Sequence, residues 1–235
     1  MLGEYQQRTR LLVNDMGFAW ANDFDFIFYI NEARNQVAGE GTCIRVLGTL
    51  TLDPPTQMYP FSAITVPAGV AAVNHIRIIN YQIPGVLGQV RVTPREWAFF
   101  DRYVLGTLVP APGVPKTWAQ YADGTLGSFG ISLPDLPYVL TMDTVCTPAA
   151  LFSDVDPEAI PPPYWTEAVP YYAAYLALLN KEGYEPAQTM MELYRGYIAR
   201  ARQFATPDLL PHQWSQAPDP QMMGRLSLAP AQRGD

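Results

Sequence analysis

The side chains that most often carry out chemistry are sparse in this chain of 235 residues, which holds two histidines and two cysteines. His75 falls in a strand-like run and His212 in a proline-rich tail, and neither has metal-ligating or nucleophilic partners at a suitable spacing. Two cysteines are too few for a disulfide scaffold or a four-cysteine zinc site. We therefore expect no cofactor and no metal, and we interpret His75 as a structural residue.

Two acidic groups are spaced closely enough to suggest catalysis or cation binding. Asp154, Asp156 and Glu158 alternate like calcium ligands, but the glycine and the twelfth-position glutamate of an EF-hand are missing. A turn before a helix is the better interpretation. Asp23 and Asp25 stand at the start of a predicted helix, where acidic residues cap the helix and favour its dipole. Because no nucleophile elbow, phosphate loop or metalloprotease helix occurs, we predict that the protein is not an enzyme.

Composition narrows the function classes further. The chain has 15 Lys and Arg against 22 Asp and Glu, a net charge of −7, which disfavours a dedicated nucleic-acid binder. Charged residues make up 16% of the chain, below the roughly 25% of ordinary soluble domains, and this leaves surface for apolar contacts. No apolar run approaches the ~20 residues of a membrane span, and the N-terminus lacks signal-peptide features. We expect a protein of a reducing compartment with no membrane partner.

The N-terminal part of the chain shows the hydrophobic period of helices. It predicts one helix over residues 2–14 and a second from Asp23 to about Ala38, ended by Gly39. Apolar residues of the second helix recur at i, i+4, i+7 and i+11, which makes one stripe: Phe26, Ile30, Ala33 and Val37. Three further apolar residues widen this face at its start: Phe24, Ile27 and Phe28.

After Gly41 the hydrophobic period changes to two, which indicates strands. We predict strands over residues 44–52, 58–62, 73–83, 87–93, 125–133 and 138–147. Residues 93–96 (TPRE) predict a capping box that starts a short helix through Leu105. A loop rich in proline and glycine spans residues 109–115.

The chain then becomes helical again. A helix is predicted over residues 164–179, in which three alanines leave room for close helix approach: Ala173, Ala174 and Ala177. Its larger apolar residues recur at helical spacing: Trp165, Val169, Tyr172, Leu176 and Leu179. A final helix opens at Glu185, with a predicted buried side: Ala187, Met190, Tyr194, Tyr197, Ala201 and Phe204. Residues 206–235 hold five prolines and no period, which indicates an extended segment.

This order of elements favours an α+β fold. We predict a discontinuous helical bundle from residues 1–41 and 161–205, a β-rich insertion with one short helix over residues 42–160, and an extended tail over residues 206–235. Cys43 and Cys146 flank the insertion. If the insertion leaves the bundle through one neck, these cysteines should lie close together as free thiols.

Three segments carry a resemblance to a known family. They are residues 29–38 (YINEARNQVA), residues 134–138 (PDLPY) before a strand, and residues 165–175 (WTEAVPYYAAY). Their sequence, order and rough spacing resemble the head-to-tail adaptor (connector) proteins of tailed bacteriophages, over about residues 1–205. The chain differs from the shorter, purely helical adaptors by its β insertion and its proline-rich tail.

The resemblance implies a structural virion protein of the phage neck, present in the host cytoplasm during assembly. It implies a dodecameric ring beneath the portal protein that extends the DNA channel and receives a downstream tail or nozzle protein. Packaged DNA would pass through this channel without tight binding. A homo-oligomeric ring needs two different complementary patches on each subunit. Three residues of the final helix are candidates for the ring interface or the channel: Glu192, Arg195 and Arg202.

The tail is the predicted portal-docking element, since family adaptors commonly reach the portal through their C-terminal segments. Its apolar side chains exceed what an idle linker needs: Leu209, Leu210, Trp214, Met222, Met223, Leu226 and Leu228. Its prolines pre-extend the backbone and so lower the cost of ordering it, with Trp214 as the expected anchor. A disordered tail is the alternative.

A second class of function stays open. Aromatic residues in the β insertion, including Trp97 and Trp118, would suit a carbohydrate- or receptor-binding module of the phage tail. Aromatics in strands more often belong to the core. A third class, an envelope hydrolase, would need a carboxylate pair or a metal set that the sequence does not offer.

Overall fold

Helices from the two ends of the chain pack together, which confirms the predicted α+β class. The computed structural model describes residues 1–15, 23–82, 88–106 and 111–205. The four long helices are α1 (Leu2–Leu12), α2 (Asp23–Gly41), α4 (Tyr164–Asn180) and α5 (Tyr184–Ala205), separated in the chain by the short α3 (Trp97–Phe100). Helix α4 contacts the other three long helices and so forms the centre of the bundle.

Helix α2 buries the stripe that the periodicity predicts, since Phe26, Ile30, Ala33 and Val37 are fully buried. The predicted widening of this face is wrong for Phe24 and Phe28, which are 75% and 58% exposed. They lie one turn apart on a side of α2 that no other described helix covers, and local periodicity cannot reveal which neighbours a helix will have.

The predicted end of α2 at Gly39 is also wrong, because the helix continues to Gly41. It ends where Thr42 adopts a left-handed conformation with φ of 45°. The last turn is stabilised from outside, since the Arg202 side chain of α5 donates a 2.6 Å hydrogen bond to the Glu40 carbonyl. A tertiary contact therefore extends the helix past its first glycine.

The C-terminal helices follow the predicted bounds closely. Ala173, Ala174 and Ala177 are buried in α4, as expected for close helix packing. Helix α5 buries Ala187, Tyr194 and Ala201, together with Ile198, which was not predicted. The predicted burial of Phe204 is wrong, because its ring is 55% exposed. It stacks on Tyr164 at 5.0 Å, at the first residue of α4, where no described element covers its outer side.

Two four-stranded sheets stand between α2 and α4 in the chain. The first has the antiparallel order β1-β8-β3-β4, and the second has the order β2-β7-β6-β5, in which β5 runs parallel to β6. The strands are β1 (Arg45–Thr51), β2 (Met58–Pro60), β3 (Val70–Gln82), β4 (Gln89–Arg91), β5 (Thr93–Pro94), β6 (Thr117–Ala122), β7 (Ser128–Ile131) and β8 (Val139–Pro148).

Strand β6 was not predicted, and its presence explains why the capping box at residues 93–96 is wrong. The Thr93 N–H donates to the Lys116 carbonyl at 2.9 Å, and the Arg95 N–H donates to the Trp118 carbonyl at 2.8 Å. The backbone of Thr93 and Pro94 is thereby held as β5. Helix α3 begins only after Glu96, without a side-chain cap. One turn of π-helix, Asp101–Leu105, continues it to the predicted end at Leu105.

The helices and both sheets share one continuous buried core. Strand β8 connects the helical bundle to the sheets, since it is an inner strand of the first sheet and packs against α2. The predicted closeness of the two cysteines is confirmed, because the Cys146 N–H donates at 3.0 Å to the carbonyl of Ile44, the neighbour of Cys43. Both thiols are free. None of the helices in the described ranges is long and apolar enough to cross a membrane.

Candidate interaction surfaces

The acidic residues after β8 serve as structural acceptors. Asp154 accepts hydrogen bonds from the Gly3 N–H at 2.6 Å and from the terminal ammonium at 3.2 Å, and these lower the pKa of its carboxyl. Asp156 accepts from the N–H groups of Phe152 and Ser153, which lowers its pKa. Within the described ranges, no group of three or more His, Cys, Asp or Glu side chains is placed to hold a metal ion.

Glu158 belongs to a buried ion pair with Arg34 of α2. The Arg34 guanidinium is fully buried and donates through Nη2 to Glu158 Oε1 at 2.8 Å and through Nε to Oε2 at 3.0 Å. Arg34 also donates to the Ala149 carbonyl at 2.6 Å. Burial, followed by the Glu158 carboxylate beside it, raises the pKa of the Tyr5 hydroxyl of α1. This cluster fixes α2 to the segment after β8.

Sequence reasoning missed Arg34 because charged residues usually stay at the surface. One signal was available, since Arg34 lies four residues after Ile30 and directly after Ala33, within the apolar side of α2. Asn31 of α2 binds Leu151 through both side-chain atoms: Oδ1 accepts from its N–H at 2.8 Å and Nδ2 donates to its carbonyl at 2.9 Å.

His75 has a local structural contact. Its Nδ1 lies 2.9 Å from Asp123 Oδ1 and 3.1 Å from Gln120 Nε2, so the side chain joins β3 to the end of β6 and the turn that follows. The ring is half exposed, with a side-chain accessibility of 51%. This supports the structural interpretation of His75. His212 lies outside the described residues.

The three candidate ring residues do not share one environment. Glu192 and Arg195 are exposed on α5. Arg202 instead completes the C-terminal turn of α2 through the Glu40 carbonyl, as cations near helix C-termini commonly do. All seven predicted portal-docking residues of the tail lie outside the described residues.

A groove of about 540 Å³ runs between α2 and α4, and we call it the α2–α4 groove. Its lining is mostly aromatic and aliphatic: Phe28, Tyr29, Glu32, Gln36, Tyr172, Leu176, Leu179 and Asn180. The Asn180 amide donates to the Tyr29 hydroxyl at 2.9 Å at one end of the groove. At the other end Tyr172 packs against Tyr194 of α5 at 4.9 Å.

A second groove of about 240 Å³ lies where α1, α4 and α5 meet. Leu11, Leu12 and Pro170 supply its apolar surface, and Arg8 and Glu167 supply its charges. The rings of Tyr171 and Tyr197 stack in it at 4.7 Å. The hydrogen bond between their hydroxyls, together with burial, raises the pKa of Tyr171 to about 12.

The insertion presents a patch of aromatic and arginine side chains around α3, which we call the Arg–aromatic patch. Trp97 contacts Tyr121 at 4.8 Å, and Phe99 contacts Tyr103 at 4.8 Å. Two guanidinium groups lie over these rings, Arg95 over Phe99 at 5.3 Å and Arg102 over Tyr103 at 5.4 Å. Trp118, which sequence reasoning grouped with Trp97, is buried in the core.

A comparison with protein-family models finds no matching family, and a comparison with curated proteins finds no matching relative.

Proposed function

We propose that this protein is a structural virion protein, a head-to-tail adaptor that forms a ring under the portal of a tailed bacteriophage. The ring extends the DNA channel and provides the attachment site for a downstream tail or nozzle protein. The observation that supports this most is the packing of two of the three family-like segments, one in α2 and one in α4, against each other in the core of the bundle.

The two helical segments supply the buried sides of one pair of helices. Residues 29–38 supply the buried stripe of α2, and residues 165–175 supply Trp165 and the buried alanines of α4. The two helices touch where Gly41 faces the Trp165 indole. The third segment, residues 134–138, leads into β8 at the end of the strand away from Cys146, where the buried Tyr138 contacts Tyr81 at 5.4 Å and donates to Asp135 at 2.8 Å. Two of the three resembling segments therefore lie in one packed pair of helices.

The surface also carries two different patches, and a ring subunit needs two such patches to contact its neighbours. A heterologous interface joins two different patches, one on each side of the subunit. The groove between α1, α4 and α5 and the Arg–aromatic patch are two separate surfaces of this kind, one on the bundle and one on the insertion. Exposed aromatic and arginine side chains are typical of protein interfaces.

The direct test is to mix the purified protein with the portal protein of the same phage. We expect stacked rings by electron microscopy and a complex mass that corresponds to twelve copies on one portal. A protein that stays monomeric beside intact portal rings would overturn the proposal.

Docking through the tail is tested by ending the chain after Ala205. We expect the shortened protein to keep a folded bundle and to lose portal binding, because the apolar tail residues supply the contact. Trp214→Ala in the full chain should weaken binding by about tenfold or more, as for an interface anchor. Full affinity of the shortened protein would place the docking surface on the helical bundle.

The Arg–aromatic patch favours one alternative, a carbohydrate- or receptor-binding module of the phage tail, since exposed aromatic rings stack on sugars. Trp118 is unsuitable for testing it, because replacing a core residue would disrupt folding. Tyr121, with 61% of its surface exposed, is the suitable position. Glycan binding that disappears in Tyr121→Ala, in a protein that forms no rings on portal, would support the alternative.

A further inference from the structure

The α2–α4 groove is an apolar surface that the described part of the chain leaves open. Phe28 lines it with more than half of its surface exposed, and Leu176 and Leu179 form a half-buried floor. Glu32 is the one carboxylate among its lining residues. Such a groove suits an apolar segment that carries no negative charge.

The described chain ends beside this groove. Phe204 stacks on Tyr164, and Arg202 binds the carbonyl of Glu40, one turn of α2 beyond the groove residue Gln36. Gln36 itself donates to the Glu40 carboxylate. Thirty further residues follow Ala205, so the chain continues from the end of the bundle where the groove begins.

The length of that continuation matches the groove. Tyr172 lies eight residues along α4 from Tyr164, or about 12 Å, and Asn180 lies a further ~12 Å along. An extended chain covers about 3.3 Å per residue. Leu210 can therefore reach the Tyr172 end, and Trp214 can reach the Asn180 end.

The chemistry of the continuation fits as well. Residues 209–217 (LLPHQWSQA) contain three large apolar side chains and no acidic residue. The proline favours an extended backbone and lowers the entropy that docking must overcome.

We propose that residues 209–217 of the chain bind in the α2–α4 groove of the same molecule, with residues 206–208 as the connection from α5. Leu209 and Leu210 cover the floor near Tyr172, and Trp214 packs against Phe28 and Leu179. The free protein thereby shields apolar side chains that a binding partner would otherwise be needed to cover. This inference requires neither a portal nor a ring, so it stands or fails separately from the proposed function.

Disulfide trapping in the full chain tests the proposal. Ser215→Cys is combined with Glu32→Cys, whose side chain lines the groove, or with Asn35→Cys, an exposed neighbour on α2 outside the groove lining. Both pairs are equally reachable by a free tail. The proteins are oxidised mildly at low micromolar concentration near pH 8, and bridges are identified by non-reducing gels and peptide mass mapping.

We expect the Glu32→Cys pair to form an intramolecular bridge at least tenfold faster than the Asn35→Cys pair. Adding Trp214→Ala should reduce its rate to that of the control. Equal rates for the two pairs would show a tail that does not bind the groove. Bridged dimers in place of bridged monomers would show that the groove takes the tail of a second copy, which also overturns the proposal.

Discussion

At the scale of single residues, the ion pair between Arg34 and Glu158 makes the sharpest prediction about stability. Arg34→Met would leave the Glu158 carboxylate, only 8% exposed, without its partner. We expect a loss of about 3–5 kcal/mol in the free energy of unfolding, measured by urea denaturation. Arg45→Met removes a partly exposed ion pair with Asp143 and should cost under ~1 kcal/mol. Similar losses in the two variants would contradict the assigned role of Arg34.

The raised pKa of the Cys43 thiol predicts that the folding stability falls at alkaline pH. Burial raises the pKa of its thiol from 9.0 to about 12. Below pH 9 the thiol is protonated in both states, so its contribution is complete. Between pH 9 and 12 the unfolded chain releases the proton first, and folding stability falls. Urea midpoints should therefore decline over this window, and less steeply in Cys43→Ala. Part of the decline should remain in Cys43→Ala, because burial raises the pKa of Tyr138 and the hydrogen bond with Tyr197 raises that of Tyr171. Parallel pH profiles for the two proteins would contradict this.

At the scale of helices, Gly41 decides how closely α2 approaches α4. A Cβ at this position would lie 2.8 Å from Cη2 and 2.9 Å from Cε3 of Trp165, whose indole is buried, so the ring or the helix must shift. Gly41→Ala should therefore destabilise the protein by about 1–3 kcal/mol in urea denaturation.

Gly39 provides the matched control, because it lies in the same helix with no atom within 4 Å of a Cβ. Gly39→Ala should leave stability unchanged or raise it by up to about 1 kcal/mol through helix propensity. If the two alanine variants behaved alike, the close contact between α2 and Trp165 would not limit stability.

At the scale of the whole molecule, the net charge of −7 predicts a low affinity for DNA. A channel through which packaged DNA slides must not bind the DNA phosphates tightly, since each Lys or Arg contact adds salt-dependent affinity for DNA. We expect no binding of duplex DNA by the free protein at micromolar concentration and moderate salt, measured by fluorescence anisotropy. Submicromolar, salt-sensitive binding would reverse this expectation.

The sequence by itself determined the features that depend on local pattern. The period of 3.6 identified the buried stripe of α2, and the change to a period of two located the insertion between the helices. The positions of Cys43 and Cys146 on either side of the insertion predicted that they meet. The first two follow from the geometry of one helix or strand, which neighbouring residues fix, and the third follows from an insertion that leaves and re-enters the bundle at one neck.

Only the tertiary structure decided which faces and ends find a partner. Thr93 and Pro94 have a capping sequence, yet pairing with β6 makes them a strand. Arg34 is buried because Glu158, 124 residues away, neutralises it. Phe28 is exposed although it stands beside the apolar stripe. Burial depends on surfaces brought together from distant parts of the chain. The local hydrophobic pattern does not show which of these surfaces will pack against each other.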